Sequence, residues 1–353
     1  MKALLETGMA PVPEVDAPPQ ARADIGQLLK HRRFDPSIAP PPLRPVYTLA
    51  GHVIATPGNL VAITSTIKTG KSAVISGMAA SVMAKGNDAD LLGFASSNLK
   101  FFALLHFDSE QSPDDHWHQV IRALKRASLG QSPKWFYSYC LSGLGCKRAW
   151  ECVTEAIRAA AEEHGGIHSI LIDGVADLVA NVNDPAESNA FIAELHDMAI
   201  QRDCPIVVVI HFNPGGEKTR GHLGSQLERK AETNLRLDKV DGVTAIWSDK
   251  QRRAPIPKGT GPCFQWSDEA GMHVSVESRQ SAADKEKRET FALLIDDIFR
   301  KRAALHYSDI IKYFTAKKGL AVSERTAARR MSELSRLGLL KKSAAGLWTR
   351  AKT

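Results

Sequence analysis

Residues 60–84 read LVAITSTIKTGKSAVISGMAASVMA, and this stretch decides the fold. It begins with an apolar run rich in β-branched residues, passes through the polar segment STIKTGKS at 65–72, and continues as a run of small and apolar residues with helical character. A strand, a loop and a helix in this order direct backbone N–H groups and a helix N-terminus at a phosphate group. The stretch therefore predicts a nucleotide phosphate site in an α/β domain.

The predicted phosphate loop follows the pattern G-x-x-x-x-G-K-[ST] at all but one of its fixed positions. Lys71 is expected to reach the β- and γ-phosphates, Gly70 to let the backbone approach closely, and the Ser72 hydroxyl to bind magnesium. Ser65 replaces the first glycine. This change is expected to affect the opening turn of the loop and its affinity for nucleotide more than its identification as a phosphate loop. The predicted ATP-binding residues are Ser65, Thr66, Ile67, Lys68, Thr69, Gly70, Lys71, Ser72 and Ala73.

A second element of the predicted magnesium site lies in HSILIDG, residues 168–174. Asp173 follows a run of apolar strand residues, so its carboxylate can hold a magnesium-bound water and accept a hydrogen bond from Ser72. The alternative is an ordinary aspartate in a turn at the end of a strand. The phosphate loop favours the metal role, with Ser72 and Asp173 as the predicted ligands.

Apolar runs alternate with helical stretches from residue 47 to about 277, which indicates a parallel sheet with helices on both faces. Further strands are expected at the edge of the sheet. The central strands are predicted at 60–64, 101–107, 169–172 and 206–210, the helices at 73–84, 149–163 and 187–201, and the edge strands at 235–240, 243–249 and 272–278.

The residue after Asp173 is Gly174, where ATPases of the AAA+ type usually place the glutamate that activates water. FFALLHFDSEQS, residues 101–112, offers a substitute, because its strand ends in Asp108 and Glu110 at the sheet edge where α/β folds bind ligands. With these motifs, residues 47–277 resemble the RecA-like ATPases, and within them the hexameric replicative helicases of the plasmid RepA type. The resemblance implies that Glu110 is the catalytic glutamate, with Asp108 as the fallback.

The same resemblance implies further roles. His211, which ends PIVVVIH, matches the position that senses the γ-phosphate, although a strand-end histidine can also be a simple polar terminus. The glycine-rich segment 212–226 matches a mobile loop in the central channel, with Lys218, Arg220 and His222 as DNA contacts, or it is an ordinary surface loop. SDKQRRAP, residues 248–255, resembles an element that enters the neighbouring subunit's site, which implies trans-acting roles for Lys250 and Arg252.

Proline content separates an N-terminal arm, residues 1–45, from the predicted ATPase domain at 46–281. Nine of the 18 prolines precede Val46, so this arm is expected to be flexible, with one helical piece near 23–33. The 5 cysteines include no C-x-x-C pair, which argues against a zinc site or a disulfide framework. No run is long and apolar enough for a membrane span or a signal peptide, so a cytoplasmic protein is expected.

The positive charge lies in the C-terminal segment. Residues 285–353 carry 17 Lys and Arg against 7 Asp and Glu, whereas the preceding residues carry a net charge of −3. Three predicted helices and a hairpin at 339–348 follow a polar linker at 282–288, the order of a winged helix-turn-helix domain at 282–353. The predicted contacts with DNA are Arg325, Arg329, Arg330, Lys341 and Lys342.

A basic segment of this size is typical of a nucleic-acid-binding module, but a solvated basic face or a protein-docking winged helix would also account for it. The resemblance implies ATP and Mg²⁺ as cofactors, and DNA and further copies of the chain as partners. A hexameric helicase or translocase for a plasmid, phage or mobile element is the leading hypothesis. A filament-forming recombination ATPase and a DNA-binding regulator with a weak ATPase remain open.

Overall fold

The computed structural model describes residues 19–86, 89–213, 216, 219–300, 302–316, 321–343 and 346–351. The chain divides into two compact units, residues 1–43 and 44–353. In the first unit a helix, α1 (Pro19–Arg32), precedes an irregular segment. The helical piece expected near 23–33 is therefore present, and it begins earlier than the sequence pattern indicated.

The second unit alternates strands and helices. Its strands are β1 (Tyr47–Leu49), β2 (His52–Ala55), β3 (Leu60–Ser65), β4 (Phe94–Ser96), β5 (Ala103–Asp108), β6 (Phe136–Cys140), β7 (Ile167–Asp173), β8 (Ile206–His211), β9 (Thr233–Val240), β10 (Val243–Gln251), β11 (Cys263–Ser267), β12 (Met272–Val276), β13 (Ala304–Leu305), β14 (Leu340–Lys342) and β15 (Trp348–Arg350). Its helices are α2 (Lys71–Met83), α3 (Pro113–Arg126), α4 (Cys146–His164), α5 (Pro185–Gln201), α6 (Gly221–Lys230), α7 (Arg279–Ile298), α8 (Tyr307–Ala316) and α9 (Glu324–Arg336), with a 3₁₀ turn at Val175–Leu178.

A nine-stranded sheet in the order β12-β11-β10-β9-β3-β8-β7-β5-β6 forms the centre of this unit. The strands from β9 to β6 run parallel to their neighbours, whereas β10, β11 and β12 are antiparallel. Every residue of β3 and β7 is buried, as expected for apolar strands covered on both faces. The fold is α/β with a largely parallel sheet, and the antiparallel strands extend one edge.

Helices cover both faces of the sheet. On one face α2 and α3 bury residues such as Val74, Met78 and Ala123, and on the other α4 and α5 bury Val153 and Leu195. Each fully buried aliphatic side chain of this kind contributes about 1.5–3 kcal/mol of transfer free energy. Because β3 lies in the interior of the sheet, the loop that follows it is held by neighbours on both sides.

Several elements near the site were not expected from the sequence: α3, α6, β6 and β11. Helix α3 has a strong start signal, because Pro113 occupies its first turn and the Ser112 hydroxyl accepts the N–H of Asp115 at 3.2 Å. Helix α6 begins at Gly221 and takes up the second half of the glycine-rich segment that was expected to be a loop. Residues 221–226 are helical, so the expectation of a loop through residue 226 was wrong.

The C-terminal elements pack around their own apolar cluster, which includes Ile310, Phe314, Met331 and Leu334. Strands β13, β15 and β14 form a three-stranded sheet next to α7, α8 and α9. The polar stretch 282–288, expected to be a linker, lies inside α7, because its residues are good helix formers. Ala327 and Leu334 are fully buried on α9. Among the described residues, no helix is long and apolar enough to cross a membrane.

Candidate functional site

The phosphate loop connects β3 to α2 and is closed by its own side chains. The Ser65 hydroxyl is buried and lies 2.5 Å from the Thr69 hydroxyl, so the serine in place of the expected glycine ties the start of the loop to its end. Left-handed backbone conformations occur instead at Lys68 (φ 59°) and Gly70 (φ 91°). The loop therefore forms without a glycine at position 65.

Gly70 is required by both its conformation and its surroundings. Its φ lies in the left-handed region, and a Cβ atom there would come within 2.7 Å of the Phe264 ring on β11. The Val74 N–H donates to the Gly70 carbonyl at 3.2 Å, which begins the helical ladder of α2. The N-terminus of α2 is thus fixed behind the loop, where its N–H groups can bind an anion.

Lys71 is almost fully buried at the start of α2, and its Nζ donates to the Thr66 carbonyl at 3.0 Å. Burial lowers the pKa of this ammonium group, while the charges of Glu110 and Asp173 act in the opposite direction. The ammonium group lies on the loop itself. A γ-phosphate would offer it a stronger, charge-assisted partner than a carbonyl oxygen.

Ser72 and Asp173 come together as the sequence predicted. The Ser72 hydroxyl donates to Oδ2 of Asp173 at 3.3 Å. Burial, with the nearby carboxylates of Asp108 and Glu110, raises the pKa of Asp173 to about 7, so the site holds negative charge without enough compensation. Within the described residues no group of three or more His, Cys, Asp or Glu could hold a metal alone. One hydroxyl and one carboxylate nevertheless fit Mg²⁺, which takes its other oxygen ligands from water and phosphate.

Glu110 and His211 form a pair at the same edge of the sheet. Nε2 of His211 lies 3.1 Å from Oε2 of Glu110, and both side chains are partly exposed to the site. Gly174 explains why a glutamate is not found after Asp173: a Cβ at Gly174 would lie 2.3 Å from Oγ of Ser109 and 2.7 Å from Cγ of Glu110. The space that such a residue would need is already occupied by the β5 loop that carries Glu110.

Asp108, the fallback base, is fully buried beneath this loop. Its Oδ1 accepts the backbone N–H groups of Glu110 and Gln111, both at 3.0 Å, and its Oδ2 faces Nδ1 of His116 at 3.5 Å. Burial acts to raise the pKa of Asp108, but these hydrogen bonds outweigh it and the pKa is lowered. The Asp108 carboxylate is positioned to hold the loop in place, and Glu110 is the group that faces the site.

One cavity of about 390 Å³ is lined by Lys71, Ser72, Glu110 and His211, and it extends from the phosphate loop along α3 to β11 and β12. Four buried polar atoms of residues that line it have no partner among the described residues: Oγ of Ser76, Nε2 of Gln119, Nε of Arg126 and Nδ1 of His211. A buried donor without a partner costs about 1–3 kcal/mol, so these atoms favour a bound polar ligand. The sequence analysis missed this wall, which also includes Gln111, Arg122, Lys239, Trp266, Met272 and His273.

Lys250 and Arg252 do not line this cavity of their own chain. In the sheet, Lys250 on β10 lies opposite Asn234 on β9, and Asn234 lies opposite Ala62 on β3. Lys250 is therefore near the start of β3 and away from the phosphate loop. The Lys250 ammonium group donates to the carbonyls of Glu228 and Arg229 at the end of α6. Arg252 donates to the side chain of Asn59 at 3.0 Å.

The predicted DNA contacts of the glycine-rich segment are only partly described. Lys218 lies outside the described residues. Arg220 precedes α6 and lines a second cavity of about 560 Å³ with Asn181 and Asn183. His222 lies in the first turn of α6, on a helix and not on a loop.

In the C-terminal elements, Arg325 and Arg329 are exposed on α9, and Lys341 and Lys342 are exposed on β14. Arg330 differs from its neighbours, because its guanidinium group lies over the Phe314 ring at 5.8 Å and its Nη1 is buried. Four of the five predicted DNA contacts thus expose their charged groups to solvent, whereas Arg330 packs against the apolar cluster.

Comparisons with known proteins bear on the first two thirds of the chain. A family model described as an AAA domain matches residues 29–217, which include the phosphate loop, Glu110, Asp173 and His211. A solved structure titled "ATPase Domain of G40P" is similar at 14% identity and a TM-score of 0.44, covering 73% of this chain and 98% of that chain. A search of curated proteins finds no match.

Proposed function

Because the chain belongs to the AAA domain family, whose model covers more than half of it, we propose that it is an ATP-hydrolysing motor that acts on DNA. It assembles as a homo-hexamer and serves as a helicase or translocase in the replication of a plasmid, phage or other mobile element. One observation carries the proposal: one cavity at the edge of the sheet is lined by Lys71, Ser72, Glu110 and His211, and Asp173 accepts a hydrogen bond from Ser72.

In the proposed reaction, the oxygen of a water molecule attacks the γ-phosphorus while the bond to the β–γ bridging oxygen breaks. The Glu110 carboxylate accepts the proton of that water, and His211 holds the carboxylate through its Nε2. Lys71 moves from the Thr66 carbonyl to the phosphate oxygens, where its charge stabilises the transition state. A Mg²⁺ ion held by Ser72 and Asp173 would neutralise phosphate charge.

Lys250 and Arg252 act on the neighbouring subunit in this proposal. Their position away from their own phosphate loop supports a role in trans, since a finger that served its own chain would have to reach its own cavity. Arg252 is the better candidate, because the Lys250 ammonium group already caps the end of α6.

DNA is proposed to meet two surfaces. Arg220 and His222 follow β8, and the Arg220 N–H donates to the His211 carbonyl at 3.0 Å, so contacts of these residues and of Lys218 with DNA would couple the nucleotide site to a strand in the channel. The helices and the hairpin after residue 278 form a winged helix whose exposed Arg325, Arg329, Lys341 and Lys342 contact phosphates, with a smaller contribution from Arg330.

The test is ATP turnover and strand separation by the full chain, with and without single-stranded DNA. We expect turnover that single strands stimulate, unwinding of a forked duplex, and rings in electron micrographs. Lys71→Ala should lose nucleotide binding or turnover, while Lys85→Ala, at an exposed position beyond the end of α2, should match the wild type. Filaments with strand pairing would favour a recombination ATPase, and site-specific duplex binding with negligible turnover would favour a regulator; either result would refute the helicase.

A further inference from the structure

The side-chain nitrogen of Gln111 donates two hydrogen bonds at the edge of the phosphate site. Its Nε2 donates to Oγ of Ser72 at 3.0 Å and to Oε1 of Gln119 at 2.5 Å. A primary amide carries two N–H groups, so these two contacts use both. The backbone N–H of Gln111 donates to Asp108 at 3.0 Å, which fixes the residue from below.

The orientation of the Ser72 hydroxyl is thereby fixed by two hydrogen bonds. Its single proton goes to Oδ2 of Asp173, and one of its two lone pairs accepts from Gln111. One lone pair is left, and Ser72 lines the cavity together with Lys71 and Glu110. Without the amide, the hydroxyl could rotate and back-bond to a carbonyl of its own helix, as serines near helix starts often do.

We propose that Gln111 is a positioning residue for the divalent cation: by donating to Ser72 it keeps the free lone pair of that hydroxyl directed at the metal position. Gln119 holds Gln111 in turn through its Oε1. The Nε2 of Gln119 is buried and has no partner among the described residues, so the two side-chain amides belong to the wall of the cavity and not to a fully satisfied hydrogen-bond network in the core. This inference rests on the proposed nucleotide function.

The effect should appear in the metal requirement and not in the affinity for nucleotide alone. Partners that orient a metal ligand typically change metal affinity by about 10–100-fold when they are removed. We expect the low end of this range, about 10-fold, because Gln111 acts on one ligand of two.

The experiment uses the full chain and an ATP analogue that carries a fluorescent group on its ribose. Anisotropy is measured first in EDTA, where Lys71 and the loop alone bind the phosphates, and then during a Mg²⁺ titration. Gln111→Met removes both donors and preserves length, and Gln119→Met removes only the acceptor behind them. Gln201→Met, on the exposed end of α5, is the matched control.

The Mg²⁺ concentration that half-saturates the change should rise about 10-fold in Gln111→Met, less in Gln119→Met, and not in Gln201→Met, with the EDTA affinity unchanged in Gln111→Met and in Gln201→Met. An unchanged Mg²⁺ requirement in a folded Gln111→Met protein would overturn the inference while leaving the nucleotide site intact. A loss of EDTA affinity equal to the shift would assign Gln111 to nucleotide contact instead and also overturn it. Absence of analogue binding by the wild type would refute the proposed function itself.

Discussion

The adjacent residues Arg252 and Arg253 should give opposite phenotypes when each is replaced by alanine. Nη1 of Arg253 lies 2.7 Å from Oε2 of Glu232, whose side chain is fully buried. Arg252 makes one exposed hydrogen bond, to Asn59. Arg253 is therefore a structural partner of a buried charge, and Arg252 is available to another subunit.

The size of each effect follows from these contacts. Removing one partner of a buried ion pair costs about 3–5 kcal/mol, because the remaining charge is left uncompensated. The Arg253 side chain is 30% exposed, and the N–H and hydroxyl of Thr56 continue to donate to Glu232, so we expect about 2–3 kcal/mol for Arg253→Ala. Arg252→Ala should cost about 0.5 kcal/mol or less, as for an exposed hydrogen bond.

Activity should follow the reverse order. Loss of an arginine finger lowers turnover on the order of 10³-fold or more, so Arg252→Ala should bind ATP and scarcely hydrolyse it. Arg253→Ala should retain turnover at temperatures where it is folded. Urea unfolding followed by fluorescence measures the stability of each variant, and steady-state phosphate release measures turnover.

Mixing distinguishes a role in trans from one in the chain's own site. Arg252→Ala supplies an intact phosphate loop, and Lys71→Ala supplies an intact Arg252, so some interfaces in a mixed ring are complete. These should recover activity once labelled subunits are seen to exchange. If Arg252→Ala alone turns over normally, and the exchanged mixture gains nothing, the reasoning about the finger is refuted.

Three further outcomes are expected. Glu110→Gln should bind ATP but lose hydrolysis, because an amide cannot accept the proton of water; unchanged phosphate release would move the base to another group. A chain that ends at Ser278, before α7, should lose duplex affinity and show a shallower salt dependence in filter binding, with DNA-free turnover retained; equal duplex affinity would contradict a DNA-binding winged helix. Burial lowers the pKa of His168 to about 4 in the folded state, so the unfolded chain takes up its proton first as the pH falls below about 6.5. The free energy of unfolding should therefore drop by about 2–3 kcal/mol more between pH 7 and pH 4 in the wild type than in His168→Gln; parallel pH profiles would contradict this.

The parts of the site that could be predicted from the sequence are those that adjoin apolar strands. Ser72 lies at the start of α2, after the loop that follows β3, and Asp173 ends β7, so the local patterns of strand, loop and polar terminus were enough to bring them together. Parallel strands end at the same edge, which makes contacts between distant segments predictable once each strand is recognised. The same rule accounts for the contact between Glu110 and His211, although that pair was not predicted from the sequence.

The far wall of the cavity could not be predicted in this way. Gln119 and Arg126 lie on α3, a helix whose mostly polar sequence conceals which of its faces is covered. Trp266 and His273 come from β11 and β12, whose place beside the phosphate loop depends on the antiparallel pairing of the whole edge. Gln111 carried no recognisable signal, since a glutamine after a glutamate has no meaning until Ser72 is seen next to it.

The position of β3 between β8 and β9 has a consequence for how the protein matures during synthesis. The strand leaves the ribosome early, yet its hydrogen-bonding partners are residues 206–211 and 233–236, and Phe264 closes over Gly70 later still. Loop closure over such separations is slow, and unpaired apolar strands are prone to aggregation while they wait. A nascent chain cannot acquire a complete phosphate site until β11 has emerged, so nucleotide stabilises only chains that extend past β11, and products truncated before that strand gain no protection from it.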